Sequence, residues 1–409
     1  MLQIKIITEN QDIAEICKLY WTLDSNSNFL HNVDELGKLA QIDKSKIPGI
    51  VKKSCNVYIN DWICENCESP HIFSNRSDFL GKRNFLLNGL YLQNLFICDE
   101  CKKKQREIEL EEKRVKAELE KKAREAIEIE LQKKIQNAYS LSKRPFLEIQ
   151  SLSLTDIVYL ISILRGGADE SLTKIAPIST FIQSLSPDDN FSSSIINYLH
   201  NNELIFIHPD STPSSFANDD LSSFYIYEVC YAPPISQLST DNPKALLVEL
   251  LKIINEDWTE EWCQDALIIW KRIALAECKE YLILSLNEHH FDFSPGEKTT
   301  QYLEYALENF STAQVYNIIW RAGRDAAACY QRGGVTKKHA ANIAISAIQG
   351  NTERAVAENW EMKPYGRNYK CPQSIISEVF YNLALKLGDD GFKTTPNIKT
   401  IRSKKLDSN

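Results

Sequence analysis

The chain has 409 residues, enough for roughly two to four domains, and a net charge of −8 at pH 7. Its 43% hydrophobic and 25% charged residues are ordinary for a globular protein, and 14 Gly and 14 Pro exclude extensive low-complexity disorder. The acidic balance argues against a general nucleic-acid coat. The sequence has neither an apolar run long enough to cross a bilayer nor an amino-terminal signal peptide. We therefore expect a cytoplasmic protein without a membrane partner.

Residues 1–56 are predicted to be helical and to contain two helices joined by a tight turn. Asn32 is suited to cap the helix Val33–Ala40, and a second helix is expected near residues 44–53, with the turn at Gln41. Apolar residues recur at the spacing that packs two such helices together, namely Leu36, Ala40, Ile42, Ile47 and Ile50.

Over about twenty residues this pattern resembles the helix-turn-helix family. Gln41 stands where that family favours Gly, and Gly37 is the small residue expected where the two helices cross. The resemblance implies that the second helix enters the major groove of double-stranded DNA. The lysines expected to contact the DNA are Lys44, Lys46, Lys52 and Lys53. A generic helical hairpin is the alternative.

Two CxxC pairs are the strongest chemical signal in the sequence: Cys64 with Cys67, and Cys98 with Cys101. Two cysteines separated by two residues can bend round one metal ion, and two such corners complete the tetrahedral thiolate set of a structural Zn²⁺ site. Redox chemistry is the alternative for one CxxC, but it does not explain two. His71 is a less suitable substitute for one of the thiols.

Residues 57–101 are predicted to form a small α+β finger around these cysteines. The turn signals SNRSD and LNG between the two pairs predict a hairpin or loop there. The second pair leads into a long helical stretch, so Cys98 and Cys101 are expected at the amino terminus of a helix. A metal-binding corner, a hairpin and a helix start resemble a treble-clef zinc finger over about forty residues.

Residues 102–140 are predicted to form one long charged helix. Twelve basic and nine acidic residues interleave, many of them four positions apart, which favours an exposed single helix. A thin apolar stripe steps by four residues through Val115, Leu119, Ala123, Ile127, Leu131 and Ile135. Because a coiled coil alternates steps of three and four, we expect a solvated spacer, with weak self-association as a coiled coil as the alternative.

Residues 152–235 are predicted to form a winged-helix-like α+β domain. Three helices are expected, at residues 154–165, 172–185 and 187–202. A hairpin of two strands is expected to follow, at residues 203–209 and 223–233. The third helix opens with Asp188 and Asp189 and carries no Lys or Arg. Since phosphates would be repelled by such a helix, we expect this acidic middle domain to bind a protein partner.

Residues 243–409 are predicted to form an all-α carboxy-terminal domain, with helices near residues 315–330, 337–357 and 372–387. Residues 311–409 carry 15 Lys and Arg against 8 Asp and Glu, whereas residues 141–310 carry 10 against 25. A candidate basic patch contains Arg321, Arg324, Lys337 and Lys338, with the aromatic residues Trp360, Tyr365 and Tyr369 near it in sequence. It is either a nucleic-acid surface or a counter-charge to the acidic middle domain.

The sequence therefore predicts a mainly α, multidomain protein. It contains no GxxxxGK[ST], GxGxxG, HExxH or GxSxG motif. Neither the thiols Cys329 and Cys371 with His339, nor the histidines His289 and His290 with Asp292, form a recognisable catalytic or metal motif. The favoured function is a zinc-containing, DNA-binding regulatory or recruitment protein. The alternatives are an interaction scaffold with zinc-finger and winged-helix docking modules, and an enzyme whose carboxy-terminal active site lacks a motif.

Overall fold

The computed structural model describes residues 2–87, 96–236 and 244–405. The protein is mainly helical, with a small antiparallel sheet. It divides into two compact units, Met1–Arg124 and Glu125–Asn409. Among the described residues, no helix combines the length and the apolar character required to cross a bilayer.

The first unit contains a three-stranded antiparallel sheet and a set of helices. Its elements are β1 (Leu2–Ile6), α1 (Gln11–Trp21), α2 (Val33–Ala40), α3 (Ile47–Ser54), β2 (Cys55–Ile63), β3 (Pro70–Ile72), α4 (Arg76–Leu87) and the beginning of α5 (Asp99–Ala138). The sheet order is β1-β2-β3. Leu2 pairs with Ile59 and Ile6 with Cys55, so the first strand of the chain lies beside the middle one.

The helix α2 has the predicted start and end. The Asn32 side chain accepts a hydrogen bond from the Glu35 backbone N–H at 2.7 Å, and the Glu35 carboxylate accepts one from Asn32 in return. Gln41 ends the helix in the left-handed conformation, with φ 57°. A Cβ on Gly37 would lie 2.9 Å from the Ile42 carbonyl oxygen. Gly37 is therefore required by the turn, rather than by the helix crossing that we predicted.

The second helix of the pair is shorter than predicted. α3 begins at Ile47, so Lys44 and Lys46 lie in the turn that precedes it. The Ser45 hydroxyl donates to the Asp43 carboxylate at 2.6 Å and does not cap the helix. Pro48 occupies the first turn of α3, where its missing N–H costs nothing.

Residues 1–56 are not wholly helical, in contrast to the sequence-based expectation, because they include the strand β1. This strand is five residues long, and its residues alternate between partly buried and exposed. It is specified by pairing with β2, about fifty residues later in the chain. The helices and the finger region share one hydrophobic cluster, in which Tyr20, Leu36 and Val51 join Trp62 and Phe79.

The loop excursion predicted between the two cysteine pairs contains a helix. α4 begins at Arg76, inside the SNRSD signal, because the Asn75 side chain accepts from the Asp78 backbone N–H at 2.8 Å and caps it. The Asn and Gly of the LNG signal lie outside the described residues. The hairpin of this region, β2–β3, encloses the first cysteine pair instead of following it.

The second unit is built mainly from helices: the end of α5, α6 (Leu154–Gly167), α7 (Asp189–Asn201), α8 (Lys244–Ile253), α9 (Glu260–Asn287), α10 (Glu297–Asn309), α11 (Thr312–Gln331), α12 (Lys337–Ala357), α13 (Ile375–Glu378), a π-helical segment (Val379–Ala384), α14 (Asp390–Lys393) and α15 (Ile398–Lys405). Two-residue strands pair as β4 (Phe146–Leu147) with β7 (Ile235–Ser236), parallel, and as β5 (Phe206–Ile207) with β6 (Tyr231–Ala232), antiparallel. The 3₁₀ turns are Leu141–Lys143, Ile149–Ser151, Ile178–Thr180 and Pro213–Ser215.

The helix α9 lies at the centre of the second unit. Its first half, including Trp270 and Ile273, packs in a hydrophobic cluster with α6, α7 and the π-helical segment. Its second half, including Cys278 and Leu282, packs in another cluster with α10, α11 and α12. Residues of both the predicted middle domain and the predicted carboxy-terminal domain therefore contribute to one core.

The winged-helix prediction for residues 152–235 relied on three helices, and residues 172–185 do not form one. Pro177 lacks a backbone N–H, and Ile175 instead exchanges backbone hydrogen bonds with Tyr231, at 2.7 and 3.0 Å. Only the short turn Ile178–Thr180 is helical there. The predicted strands of the hairpin shorten to β5 and β6. α6 and α7 form close to their predicted positions, capped by Ser153 and Asp188.

The helices of the carboxy-terminal region agree more closely with the sequence. α12 has the predicted bounds, and α11 ends just before Gly333 and Gly334, both at positive φ. The helix predicted for residues 372–387 starts at Ile375 and becomes π-helical from Val379.

The helix α5 is the long charged helix expected at residues 102–140. Its 40 residues give a length of about 60 Å at 1.5 Å per residue. Of the predicted apolar stripe, Val115, Leu119 and Ile127 are exposed, and only Ile135 is fully buried. Within the chain, most of this helix is therefore solvated.

A buried ion pair joins α9 to the segment after α12. Arg367 donates to a carboxylate oxygen of Glu277 at 2.8 Å, and the Ser377 hydroxyl donates to the same oxygen at 2.6 Å. The Glu277 side chain is 2% exposed. Burial raises the pKa of its carboxyl above the ordinary value, and the Arg367 charge opposes that rise.

We expect Gly37→Ala to lower the free energy of unfolding of the first unit by about 1–3 kcal/mol, because its Cβ would press on the backbone of the turn. Gly49→Ala is the matched control in the neighbouring helix, where an added Cβ meets nothing within 4 Å. That change should raise stability by up to about 1 kcal/mol. Thermal unfolding of both variants tests the geometry of the turn, which is wrong if the two changes have equal effects.

We expect Arg367→Ala to destabilise the second unit by about 3–5 kcal/mol, because Glu277 would remain buried without its counter-charge. Lys370→Ala removes a cation from the same segment, but its pair with Glu288 is 43% and 47% exposed. That control should cost no more than about 1 kcal/mol. Urea unfolding followed by circular dichroism measures the difference, and a small effect of Arg367→Ala would contradict the role given to this pair.

Candidate metal centre

The first cysteine pair lies in the turn of the β2–β3 hairpin. Cys64 follows β2 directly, and its backbone N–H donates to the Ser69 carbonyl at 2.8 Å. The Glu68 N–H donates back to the Cys64 carbonyl at 2.8 Å, and Glu68 takes the left-handed conformation, with φ 58°. This tight turn brings the side chains of Cys64 and Cys67 to the same side.

The second pair lies at the beginning of α5. Phe96 forms a parallel bridge with Cys64, and its carbonyl accepts from the Glu65 N–H at 3.0 Å. This contact places Cys98, just before the helix, beside the hairpin turn. Cys101 is in the first turn of α5, as the sequence predicted.

The four sulfur atoms of Cys64, Cys67, Cys98 and Cys101 form one cluster, all within 4.8 Å of one another. The Cys67 and Cys98 sulfurs are 3.6 Å apart. A tetrahedral site with metal–sulfur bonds of about 2.3 Å has sulfurs about 3.8 Å apart, so these four thiols fit a metal ion. No other group of three or more His, Cys, Asp or Glu side chains in the described part of the chain is arranged in this way.

Hydrogen bonds from the backbone and from Ser69 favour the thiolate forms of Cys64 and Cys67. The Cys98 N–H donates to the Cys64 sulfur at 3.3 Å and lowers the pKa of Cys64 to about 6. The Ser69 hydroxyl lowers the pKa of Cys67. A hydrogen bond with the Cys98 sulfur raises the pKa of Cys101 to about 12. A cation between the sulfurs would favour the thiolate form of Cys101, and the positive end of the α5 dipole acts in the same direction.

An aromatic cluster around Trp62 packs within the hairpin and against Phe96. Trp62 is buried and contacts the rings of His71, Phe73 and Phe96, with centroids 4.4, 6.1 and 5.3 Å away. His71 is not part of the sulfur cluster. Its Nε2 lies 3.0 Å from the Lys82 ammonium group, and burial lowers its pKa, so it accepts a hydrogen bond as a neutral ring.

Arg76 connects α4 to the helices of the first unit. Its guanidinium donates to the carbonyls of Tyr20 and His31, the latter at 2.8 Å. It also lies over the rings of Tyr20 and Phe29, 4.0 and 4.4 Å from their centroids. No sequence motif marked this residue, because its partners are backbone atoms and rings far away in the chain.

The four predicted DNA-contacting lysines are exposed, but they do not lie on one helix. Lys52 and Lys53 are in the last turn of α3, whereas Lys44 and Lys46 are in the turn before it. Lys44 forms an exposed ion pair with Asp34 at 3.1 Å. The predicted site is therefore a helix and its preceding turn.

The candidate basic patch separates into two places. Arg321 and Arg324 lie in the middle of α11, near the aromatic rings of Trp320 and Trp360. Lys337 and Lys338 line a surface cavity of 450 Å³ together with Asp292, Phe293, Ser294, Ala341 and Asn342. Lys337 and Lys338 are the first residues of α12, whereas Arg324 lies at least about 10 Å along the helix axis before the end of α11.

The acidic segment 141–310 and the basic segment 311–409 contact each other through cations that the sequence did not single out. Three ion pairs join an acid of the first segment to a cation of the second: Glu260 with Arg402, Glu277 with Arg367, and Glu288 with Lys370. All three lie within residues 243–409. The candidate nucleophile Cys371 is buried, and burial raises its pKa to about 12, so it is a poor thiolate.

Comparison of the chain with protein-family models, curated proteins and solved structures gives no match.

We expect the purified protein to bind one metal ion per chain, and Cys64→Ser or Cys98→Ser to lose it, because three thiols no longer close the tetrahedron. Cys263→Ser is the control, since that thiol is buried in the core of the second unit. Metal analysis by mass spectrometry gives the stoichiometry. Retention of the metal by the Cys64/Cys98 double variant would disprove the site.

Proposed function

We propose that the first unit is a zinc-stabilised DNA-binding module of a regulatory or recruitment protein, with α3 as its recognition helix. The observation that carries the proposal is the pair α2–α3, joined by a left-handed Gln41 and bordered by exposed lysines, directly beside a metal-binding hairpin. This arrangement is similar to the helix-turn-helix of DNA-binding proteins.

The donor set favours zinc as the metal. Four thiolates leave no position for water or substrate, and such closed sites are structural. The ligands come from a hairpin turn and a helix start, an arrangement similar to the treble-clef finger that the sequence predicted. Iron also accepts four thiolates. The colour of the purified protein distinguishes the two metals, because a zinc site is colourless and an iron–thiolate site is not. Replacement by Co²⁺ then tests the geometry, since its visible absorption reports tetrahedral thiolate coordination.

The order of elements supports a winged arrangement in the first unit. The three helices α1, α2 and α3 precede the β2–β3 hairpin, and β1 completes the sheet. A hairpin after a helix-turn-helix is where winged-helix proteins have their wing. We place the winged helix here, instead of in residues 152–235, where we first expected it.

Charge limits the proposed DNA contact to α3 and its preceding turn. The tip of the hairpin carries exposed Asp61, Glu65 and Glu68, which would repel phosphates. The hairpin and its metal therefore have a positioning role: they hold the sheet against the helices, while Lys52 and Lys53 reach the duplex.

A protein partner for residues 152–235 is the second part of the proposal. The exposed Asp189 at the start of α7 disfavours phosphates. Two apolar side chains elsewhere in residues 152–235, Ile182 and Tyr225, are 106% and 54% exposed. Exposed apolar side chains suit a protein surface better than a nucleic acid. If the chain fails to bind duplex DNA, the interaction-scaffold function is the next alternative, beside an enzyme whose carboxy-terminal active site lacks a motif.

We expect replacement of Lys44, Lys46, Lys52 and Lys53 by Ala to weaken binding of duplex DNA and to reduce its logarithmic salt slope by up to about 3 to 4, since each lost phosphate contact accounts for about 0.9. Fluorescence anisotropy of a labelled duplex, measured over a range of salt concentrations, gives both quantities. The four side chains are exposed, so the metal content and the helical signal should not change.

The matched control removes the same charge from the exposed helix α5, by replacing Lys104, Lys113, Lys116 and Lys133 with Ala. If both variants lose affinity equally, the effect is one of net charge and α3 is not the recognition helix. Unchanged affinity of the α3 variant would remove these lysines from the DNA contact.

A further inference from the structure

The segment between α12 and α13 has no regular secondary structure, yet it is firmly held. We call residues 358–370 the strap. Three hydrogen bonds attach it to α11: Gln314 Nε2 to the Met362 carbonyl (3.0 Å), Asn317 Nδ2 to the Lys363 carbonyl (2.8 Å), and the Tyr365 N–H to the Ala313 carbonyl (2.8 Å). The side chains of the strap are therefore presented in fixed positions.

The strap and α11 together form a surface of aromatic rings and cations. Trp320 is 41% exposed, and the Tyr365 ring lies 6.1 Å from it. The Arg324 guanidinium is 5.1 Å from the Trp320 ring, and that of Arg321 is 6.0 Å from the Trp360 ring. A half-exposed tryptophan next to cations is costly to leave in water and is typical of a binding surface.

The two arginines are available to an anion in different degrees. Arg321 is oriented by Asn317, whose buried side-chain oxygen accepts from its Nε at 2.9 Å. Arg324 contacts Asp325 at 3.2 Å, with side chains 59% and 52% exposed. An ion pair that exposed is weak, so a phosphate can replace the carboxylate.

We propose that this surface binds single-stranded nucleic acid, with a base stacked on Trp320 and phosphates at Arg321 and Arg324. Unpaired bases expose the faces that stack on aromatic rings, whereas a duplex hides them. Trp320 is more exposed than Trp360, which is partly buried and donates its indole N–H to Glu358 at 2.7 Å, so the stacking position is Trp320. The site differs from the proposed duplex contact in its residues, its unit and its ligand.

The experiment uses the full-length, metal-loaded chain with Lys44, Lys46, Lys52 and Lys53 replaced by Ala. These replacements remove any contribution of α3 to the measured DNA binding. The probe is a labelled single-stranded oligonucleotide of roughly 16 nucleotides, compared with an abasic strand of the same length. The base-bearing strand should bind more tightly, and its binding should weaken as salt rises.

Trp320→Ala should weaken binding of the base-bearing strand by roughly 5- to 100-fold, the loss expected for one stacked base, and should leave binding of the abasic strand almost unchanged. Arg324→Glu should weaken binding of both strands, because it reverses the charge at the phosphate position. Tyr305→Ala is the control, since it removes another exposed aromatic side chain, in α10, that lies outside the strap and α11. Circular dichroism and the unfolding temperature verify that each variant is folded.

The proposal is overturned if the parent chain binds neither strand at low salt, or if Trp320→Ala weakens both strands equally. It is also overturned if a polyglutamate peptide competes as well as the base-bearing strand, because the surface then recognises negative charge alone. Each of these outcomes leaves the duplex-binding experiment on α3 unaffected.

Discussion

The four-sulfur cluster is the constraint on which the first unit depends. Cys64 and Cys98 are 34 positions apart in the chain, yet the backbone of one donates to the sulfur of the other. The hairpin turn that carries Cys64 continues β2, and β2 is the central strand of the sheet. The sheet in turn shares its hydrophobic cluster with α1, α2 and α3. A metal ion held by these sulfurs would fix the start of α5 against the same framework that holds the pair α2–α3.

The elements that the sequence predicted well are those with local causes. Asn32 and Glu35 cap α2 through atoms three residues apart, and the spacing of the cysteines already implies two corners round one ion. The predicted elements that were wrong depend on distant partners. β1 exists because β2 lies beside it, and the segment after α6 stays extended because Tyr231 satisfies the backbone of Ile175. No window of the sequence contains both members of such a pair.

The uneven charge of the sequence has a similar explanation. Segment totals left open whether the basic region faces a nucleic acid or an acidic domain, and they could not identify the residues that form ion pairs. Arg367 was overlooked because it lies in an aromatic segment, and Glu277 because it is one acid in the mostly apolar middle of α9. Only the fold shows that these two form a buried pair. The more prominent cations, Arg321 and Arg324, remain at the surface beside Trp320 and the strap.

The position of β1 has a consequence for how the protein is made. During synthesis β1 has no partner until β2 follows, about fifty residues later, and the four thiols are complete only once Cys101 has emerged. Local helices form as they are synthesised, but the sheet and the metal site must wait, since non-local contacts form only after their chain is available. A metal ion bound by the four thiols would link the hairpin to the start of α5 only after Cys101 has emerged.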